Sequence, residues 1–144
     1  MTIDAYGDGA RSTFKVLAPL IALSELVKMS NTSGIFIWEE PELFQHPQTL
    51  ERLLHQIVDV IKETQIQTFI ATHSLEVVAH FTAMVQKKIL PDDKLMAYRC
   101  DLQEGTLRSS WFTTSNITAW LETGWDPRVW GDFRPSVRFI FQEE

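Results

Sequence analysis

Residues 35–47 read IFIWEEPELFQHP, and this stretch decides how the rest of the chain is interpreted. Its first four residues form a short, continuous apolar run, which is the pattern of a strand buried on both faces of a parallel sheet. Three carboxylates, Glu39, Glu40 and Glu42, follow this run directly. Carboxylates beside a buried strand are energetically costly unless a cation or a reaction requires them. A Mg²⁺ ion and a nucleophilic water are the natural candidates for those two requirements.

A second apolar run also ends in polar residues. Residues 68–71 read TFIA, and Thr72, His73 and Ser74 follow them. In open parallel sheets functional groups gather just past the carboxyl ends of the strands, so we expect His73 and the carboxylates at one edge. A neutral His73 could hydrogen-bond a phosphate or the attacking water. The alternative is that the acidic residues form a solvated loop and that His73 lies beside a helix cap.

The spacing of apolar residues predicts a helix on each side of the first strand. The first helix covers about residues 10–29, and Pro19 is expected to kink it. Its apolar positions are Phe14, Leu17, Leu20, Ile21 and Leu26. The second helix begins at Pro47, a favoured first position, and ends at about Thr64. Its predicted buried stripe is Leu50, Leu53, Leu54, Ile57, Val58 and Ile61.

The alternation of strands and helices predicts an α/β fold with a parallel sheet and flanking helices. A third helix follows Ser74, and residues 94–100 and 106–112 predict a β-hairpin. The tail from Ser115 onward contains several tryptophans among Gly and Pro, and we assign no element to it. We therefore expect residues 1–112 to form the main domain and residues 113–144 a short C-terminal tail.

Composition limits the classes of function. The 144 residues are one domain's worth of chain, and the formal charge of −6 argues against a surface coated for non-specific DNA binding. No apolar run approaches the roughly 20 residues that span a bilayer, and the N-terminus lacks the pattern of a signal peptide. The single cysteine, Cys100, rules out an internal disulfide and suits a reducing compartment. We expect a cytoplasmic protein with no membrane partner.

Three of these segments resemble the motifs of ABC-type ATPases. Residues 35–47 resemble the Walker B motif and the D-loop after it, and they are most similar to the branch that includes the OLD family and RecF-like proteins. Residues 69–74 resemble the switch-histidine strand, and residues 6–11 (YGDGAR) resemble the ABC signature. The motifs occur in family order over about half of the chain. The resemblance implies a partial P-loop NTPase fold of the AAA group, with ATP as the nucleotide and Mg²⁺ as the cofactor.

The resemblance also implies roles for individual residues at the two strand ends. Glu39 matches the position that holds Mg²⁺, although many relatives have Asp there. Glu40 matches the catalytic carboxylate that polarises the attacking water. His73 matches the switch histidine that contacts the γ-phosphate.

The signature resemblance assigns nucleotide binding to Gly7, Asp8, Gly9 and Arg11. Two glycines let backbone N–H groups approach phosphate closely, and the following helix N-terminus adds a favourable dipole. Asp8 departs from the family pattern because many relatives have Ser or Gly there. We expect Arg11 to compensate for the charge of Asp8 by pairing with it.

No G-x-x-x-x-G-K-[ST] phosphate-binding loop occurs in the sequence. The resemblance therefore implies a fragment or split gene product that works with an N-terminal Walker A half, or as full-length copies in a head-to-tail homodimer or higher oligomer. The complete protein would be an ATPase acting on DNA or an attached nuclease effector, in DNA repair or phage defence. This chain alone is expected to be inactive.

The competing hypothesis is a non-catalytic regulatory or protein-interaction module that keeps the ATPase fold. It is motivated by the missing phosphate-binding loop and the altered signature. The presence of both Glu40 and His73 argues against it, since an interaction module needs neither.

Overall fold

The computed structural model describes residues 7–124 and residue 126. Helices and strands alternate in the first part and a hairpin follows, which agrees with the predicted α/β fold with a parallel sheet. The chain divides into two compact units, Met1–Phe81 and Thr82–Glu144, whereas the predicted boundary after residue 112 stays a prediction. The elements are α1 (Gly7–Ser30), β1 (Gly34–Glu39), α2 (Pro47–Ile61), β2 (Ile66–Ala71), α3 (Leu75–Gln86), a 3-10 helix (Asp92–Lys94), β3 (Ala97–Gln103), β4 (Thr106–Phe112) and α4 (Thr114–Thr123).

The parallel pair β1–β2 is the centre of the first unit. Its register runs from Gly34 opposite Ile66 to Glu39 opposite Ala71, so both strands end at the same level. The helix α2 connects the two strands, as in a βαβ unit.

Helix α2 supplies much of the core of the first unit. Pro47 is at its start, where a missing N–H costs nothing, and the His46 side chain accepts a hydrogen bond from the Gln48 backbone N–H at 3.4 Å. The helix ends at Ile61, three residues before the predicted end. The predicted stripe is confirmed for its first five members, which are Leu50, Leu53, Leu54, Ile57 and Val58.

Helix α1 buries a different face from the predicted one. Phe14, Ile21 and Leu26 are exposed, and Leu20 is the only fully buried member of the predicted stripe among the described residues. The reason is the contact with β1: a Cβ on Gly34 would lie 3.0 Å from the Val27 side chain, so the Val27 face of the helix meets the strand. The helix also begins at Gly7, earlier than predicted, and continues through Pro19. The residues buried in α1 are Val16, Leu20, Ser24 and Val27.

The strand β1 is buried on one face only, so the prediction of burial on both faces is wrong for the described residues. Trp38 is 8% exposed, but Ile35 and Ile37 are 63% and 73% exposed. Phe69 of β2, opposite Ile37 in the register, is also exposed. The physical reason is that α1 and α2 supply the core on one side of the two-stranded sheet. We call Ile35, Ile37 and Phe69 the open sheet face.

The second unit contains the predicted hairpin and a helix that the sequence analysis missed. β3 and β4 pair antiparallel, from Ala97 opposite Phe112 to Gln103 opposite Thr106. In the predicted tail, α4 begins with a capping box between Thr113 and Asn116, and Trp120 packs edge-on against Phe112 with ring centroids 4.5 Å apart. Trp125 and Trp130 lie outside the described residues. No helix in the described part of the chain is long and apolar enough to cross a membrane.

Adjacent residues of α1 test which face of the helix is buried. Leu20 is 0% exposed and Ile21 is 49% exposed. We predict that Leu20→Ala lowers the free energy of unfolding by about 2–5 kcal/mol because it leaves a cavity. Ile21→Ala should lower it by less than about 1 kcal/mol. Urea unfolding of the two variants is the measurement, and a loss for Ile21→Ala as large as that for Leu20→Ala would contradict the exposure of Ile21.

Candidate functional site

The ends of β1 and β2 are joined by main-chain pairing. Glu39 is opposite Ala71, and the Glu40 backbone N–H donates to the Ala71 carbonyl at 2.8 Å. The carboxylates that follow β1 and the Thr72–His73–Ser74 segment that follows β2 therefore leave the sheet at the same edge. The structure thus places the two polar strand ends together, as the sequence analysis expected of a parallel sheet.

Residues 40–46, which we call the acidic loop, turn sharply away from the sheet. Glu40 has φ of 48° and Phe44 has φ of 61°, both in the left-handed region that non-glycine residues seldom occupy. Turn hydrogen bonds connect the Leu43 N–H to the Glu40 carbonyl and the Gln45 N–H to the Glu42 carbonyl. Glu39 and Glu40 are both exposed at the start of this loop, where a solvent molecule or a ligand can reach their carboxylates.

Glu42 connects the acidic loop to the end of β2, a role that the sequence analysis did not assign. Its Oε2 accepts from the Thr72 hydroxyl at 2.8 Å, and its Oε1 accepts from the His73 backbone N–H at 3.3 Å. The only sequence signal was the third carboxylate of the EEPE run. That signal indicated an acidic cluster but did not indicate which carboxylate would bind within the protein.

His73 is exposed directly before α3. The helix is capped by Ser74, whose hydroxyl oxygen accepts from the Glu76 and Val77 N–H groups at 3.2 and 3.5 Å. His73 therefore lies beside a helix cap, as the alternative interpretation had it. Its backbone follows the end of β2 at the edge of the sheet where Glu39 and Glu40 also lie, so this position is compatible with both interpretations.

The residues assigned to the signature form the first turn of α1 rather than a loop before it. Gly7 has φ of 81°, a conformation that favours glycine, and Asp8 is exposed in the first turn. Arg11 Nη1 lies 3.5 Å from Asp8 Oδ1, so the expected pairing is present. Both side chains are well exposed, and such a pair contributes little stability. Tyr6, the first residue of the matched motif, lies outside the described residues.

The start of α1 contacts the acidic loop at Gly9. A Cβ on Gly9 would lie 3.0 Å from the Phe44 carbonyl oxygen, and Gln45 Nε2 donates to the Gly9 carbonyl at 3.2 Å. Sequence analysis did not single out Gln45, and no local pattern marks it because its partner is 36 residues away. The acidic loop is thus held on one side by the end of β2 and on the other by the start of α1.

The carboxylates fit a Mg²⁺ ion in donor chemistry. Mg²⁺ prefers hard oxygen ligands, and it commonly takes one or two carboxylates together with waters and phosphates. Glu39 and Glu40 are exposed oxygen donors of this kind. No group of three or more His, Cys, Asp or Glu side chains suited to a metal occurs in the part of the chain that the structure describes. A Mg²⁺ ion on these two carboxylates would complete its coordination with waters or phosphate oxygens.

The contact at Gly9 generates a prediction. Replacing a helical glycine by alanine ordinarily stabilises a helix by up to about 1 kcal/mol. In Gly9→Ala the new methyl group meets the Phe44 carbonyl, so this gain should be absent and the amide resonances of Phe44 and Gln45 should shift. Ala10→Ser, at the next and exposed position, is the control and should leave those resonances in place. A stabilised Gly9→Ala with unchanged Phe44 and Gln45 resonances would contradict the contact.

Comparison with known proteins identifies the family. A family described as "AAA domain, putative AbiEii toxin, Type IV TA system" matches residues 1–79, more than half of the chain. No curated protein and no solved structure matches the chain. The matched range contains the start of α1, the acidic loop and the end of β2, which are the three segments that meet in the site. ATP binding or hydrolysis in general is the activity that such a domain supports. The chain belongs to this AAA domain family.

Proposed function

We propose that this chain supplies the hydrolytic edge of an ABC-type ATPase head with a P-loop NTPase fold. The supporting observation is the joint end of β1 and β2, where the Glu40 N–H donates to the Ala71 carbonyl and brings the carboxylates and His73 to one edge. Motif order supports the ABC type, and the EEPE run followed by HP favours the branch that contains the OLD family and RecF-like proteins.

In this proposal Glu40 acts as the general base of ATP hydrolysis. A water attacks the γ-phosphorus, its proton moves toward the Glu40 carboxylate, and the bond to the β–γ bridging oxygen breaks to release ADP. His73 donates a hydrogen bond to a γ-phosphate oxygen. Glu39 would hold the Mg²⁺ ion, which would neutralise phosphate charge when bound. The exposure of Glu39, Glu40 and His73 supports these roles because each must reach a substrate outside the sheet.

The start of α1 contacts the nucleotide of an opposing head in the same proposal. Gly7 and Asp8 are exposed, and the N-terminus of a 24-residue helix favours an anion. Arg11 lies beside Asp8 and offsets the charge that Asp8 would bring toward phosphate. This arrangement requires a head-to-tail dimer, in which one head's α1 start faces the ATP of the other.

A half that carries the phosphate-binding loop is the proposed partner of this chain. The sequence contains no such loop, and the open sheet face exposes Ile35, Ile37 and Phe69. Parallel strands are ordinarily covered on both faces, so an apolar partner surface fits this side. DNA or a nuclease effector as the target of the cycle rests on the family resemblance alone.

The second candidate function is a non-catalytic interaction module, and the exposed apolar residues of the open sheet face favour it. An interaction module would use the open sheet face and would not depend on the carboxylates. The two candidates therefore differ in whether the charge of Glu40 matters for turnover.

Glu39 and Glu40 are neighbours with different proposed roles, so a comparison of their Gln variants is a specific test of the ATPase proposal. In a head that also carries a phosphate-binding loop, Glu40→Gln should bind ATP normally and lower kcat by roughly 10²–10⁴-fold, because the proton acceptor is lost. Glu39→Gln should also raise the Mg²⁺ concentration needed for binding, since an amide is a poor ligand for a hard cation. Steady-state kinetics with Mg²⁺ titration measures both effects.

Glu51→Gln, on the exposed face of α2, is the control and should change neither quantity. Normal turnover by Glu40→Gln would reject the catalytic role and favour the interaction module.

A further inference from the structure

Glu42 differs from the two carboxylates before it. Its side chain is half-buried, whereas Glu39 and Glu40 are exposed. Its oxygens accept from the Thr72 hydroxyl at 2.8 Å and from the His73 N–H at 3.3 Å. Hydrogen bonds to an ionised carboxylate are stronger than those between neutral groups. Each oxygen therefore already has a protein donor, which favours a role within the protein over a role toward a ligand.

The hydrogen bonds of Glu42 continue into α3. The Thr72 hydroxyl oxygen also accepts from the Ser74 N–H at 2.9 Å, and the Ser74 hydroxyl caps the helix. The acidic loop, the segment before α3 and the first turn of α3 are thus linked by successive side-chain hydrogen bonds. A displacement of Glu42 would release the Thr72 side chain and the His73 backbone from the acidic loop.

We propose that Glu42 is a positioning residue that fixes the backbone of His73 relative to Glu40. The inference rests on the proposed function, since a fixed separation matters only when Glu40 and His73 act on the same phosphate. Glu40 lies two residues before Glu42 in the chain. Its backbone N–H donates to the Ala71 carbonyl, and this hydrogen bond fixes its position. The strand pairing and the Glu42 carboxylate therefore hold the backbones of Glu40 and His73 at the same edge of the sheet.

The chemistry of the two bonds predicts a graded series of variants. Glu42→Ala removes both acceptors. Glu42→Gln can keep its carbonyl oxygen on the His73 N–H and turn its amide toward the Thr72 oxygen, which is able to accept. Thr72→Val removes one donor at nearly constant volume, and Thr72→Ser keeps the hydroxyl. The expected order of disruption at His73 is therefore Glu42→Ala first, Thr72→Val next and the two conservative variants last.

Amide hydrogen exchange at His73 measures how firmly Glu42 holds the His73 backbone N–H. It can be measured on this chain without nucleotide. Glu42→Ala should accelerate exchange at His73 by roughly tenfold, because a hydrogen bond to a charged acceptor is lost. Thr72→Ser and the control Glu51→Ala should leave it within about twofold of the parent chain. Exchange at the buried residues Leu54 and Ile57 reports whether each variant is folded. If Glu42→Ala does not fold, Thr72→Val replaces it, with an expected acceleration of several-fold. Unchanged exchange at His73 in a folded Glu42→Ala or Thr72→Val would overturn the proposal.

Measurement of ATP turnover distinguishes a failure of the Glu42 positioning role from a failure of the proposed ATPase function. In a head that hydrolyses ATP, Glu42→Ala should lower kcat by roughly tenfold with KM within about twofold, and Glu42→Gln should recover most of the loss. Equal changes in kcat and KM, or no recovery by Gln, would reject positioning and leave the roles of Glu40 and His73 intact. If the parent head does not hydrolyse ATP but exchange at His73 still depends on Glu42, the ATPase proposal fails while the structural link stands.

Discussion

The hydrogen bond from the Glu40 N–H to the Ala71 carbonyl, 2.8 Å long, extends the pairing of β1 and β2 beyond the last strand residue of β1. Every other feature of the site depends on this pairing. It sets the level at which both strands end, and it fixes the point from which the acidic loop departs. Because parallel strands share a direction, the groups that follow them emerge at one edge. A one-residue shift of register would move the carboxylates away from His73 and reverse their faces.

The acidic loop is held from several directions, which allows it to keep an unusual backbone. Pro41 is fully buried, Glu42 binds the end of β2, and Gln45 binds the start of α1. Left-handed residues such as Glu40 and Phe44 persist only where the surroundings determine them, and they are concentrated at functional sites. The loop thus contacts both of the other segments that the sequence marks as motifs.

The elements whose positions the sequence predicted well are those with a simple apolar pattern. β1 and β2 are short apolar runs bounded by turn residues, and α2 has a single apolar stripe beginning at Leu50, so the spacing alone places them. Helix α1 has apolar residues on more than one face, and the spacing alone does not show that the Val27 side packs against Gly34. Helix α4 was missed because its cap, Thr113 with Asn116, lies in a segment of mixed polar and aromatic composition.

The site was predictable in outline and not in detail. Two polar strand ends in a parallel sheet predict a shared edge, which is what places Glu39, Glu40 and His73 together. The bonds made by Glu42 and Gln45 join residues 30 to 36 positions apart, and no local spacing rule reports such contacts. The exposure of Ile35 and Ile37 was also unexpected. A continuous apolar run indicates that a strand is buried, but it does not identify the element that covers each face.

We propose that the ends of β1 and β2 form one site for a divalent ion carried by ATP. Paramagnetic broadening by Mn²⁺·ATP tests it directly on this chain, because even weak binding broadens nearby amide resonances. We expect the amides of Glu39, Glu40 and His73 to broaden together, while those near exposed acids on α2, such as Glu51, broaden no more than they do with Mn²⁺ alone. Broadening confined to α2, or at only one of the two strand ends, would contradict it.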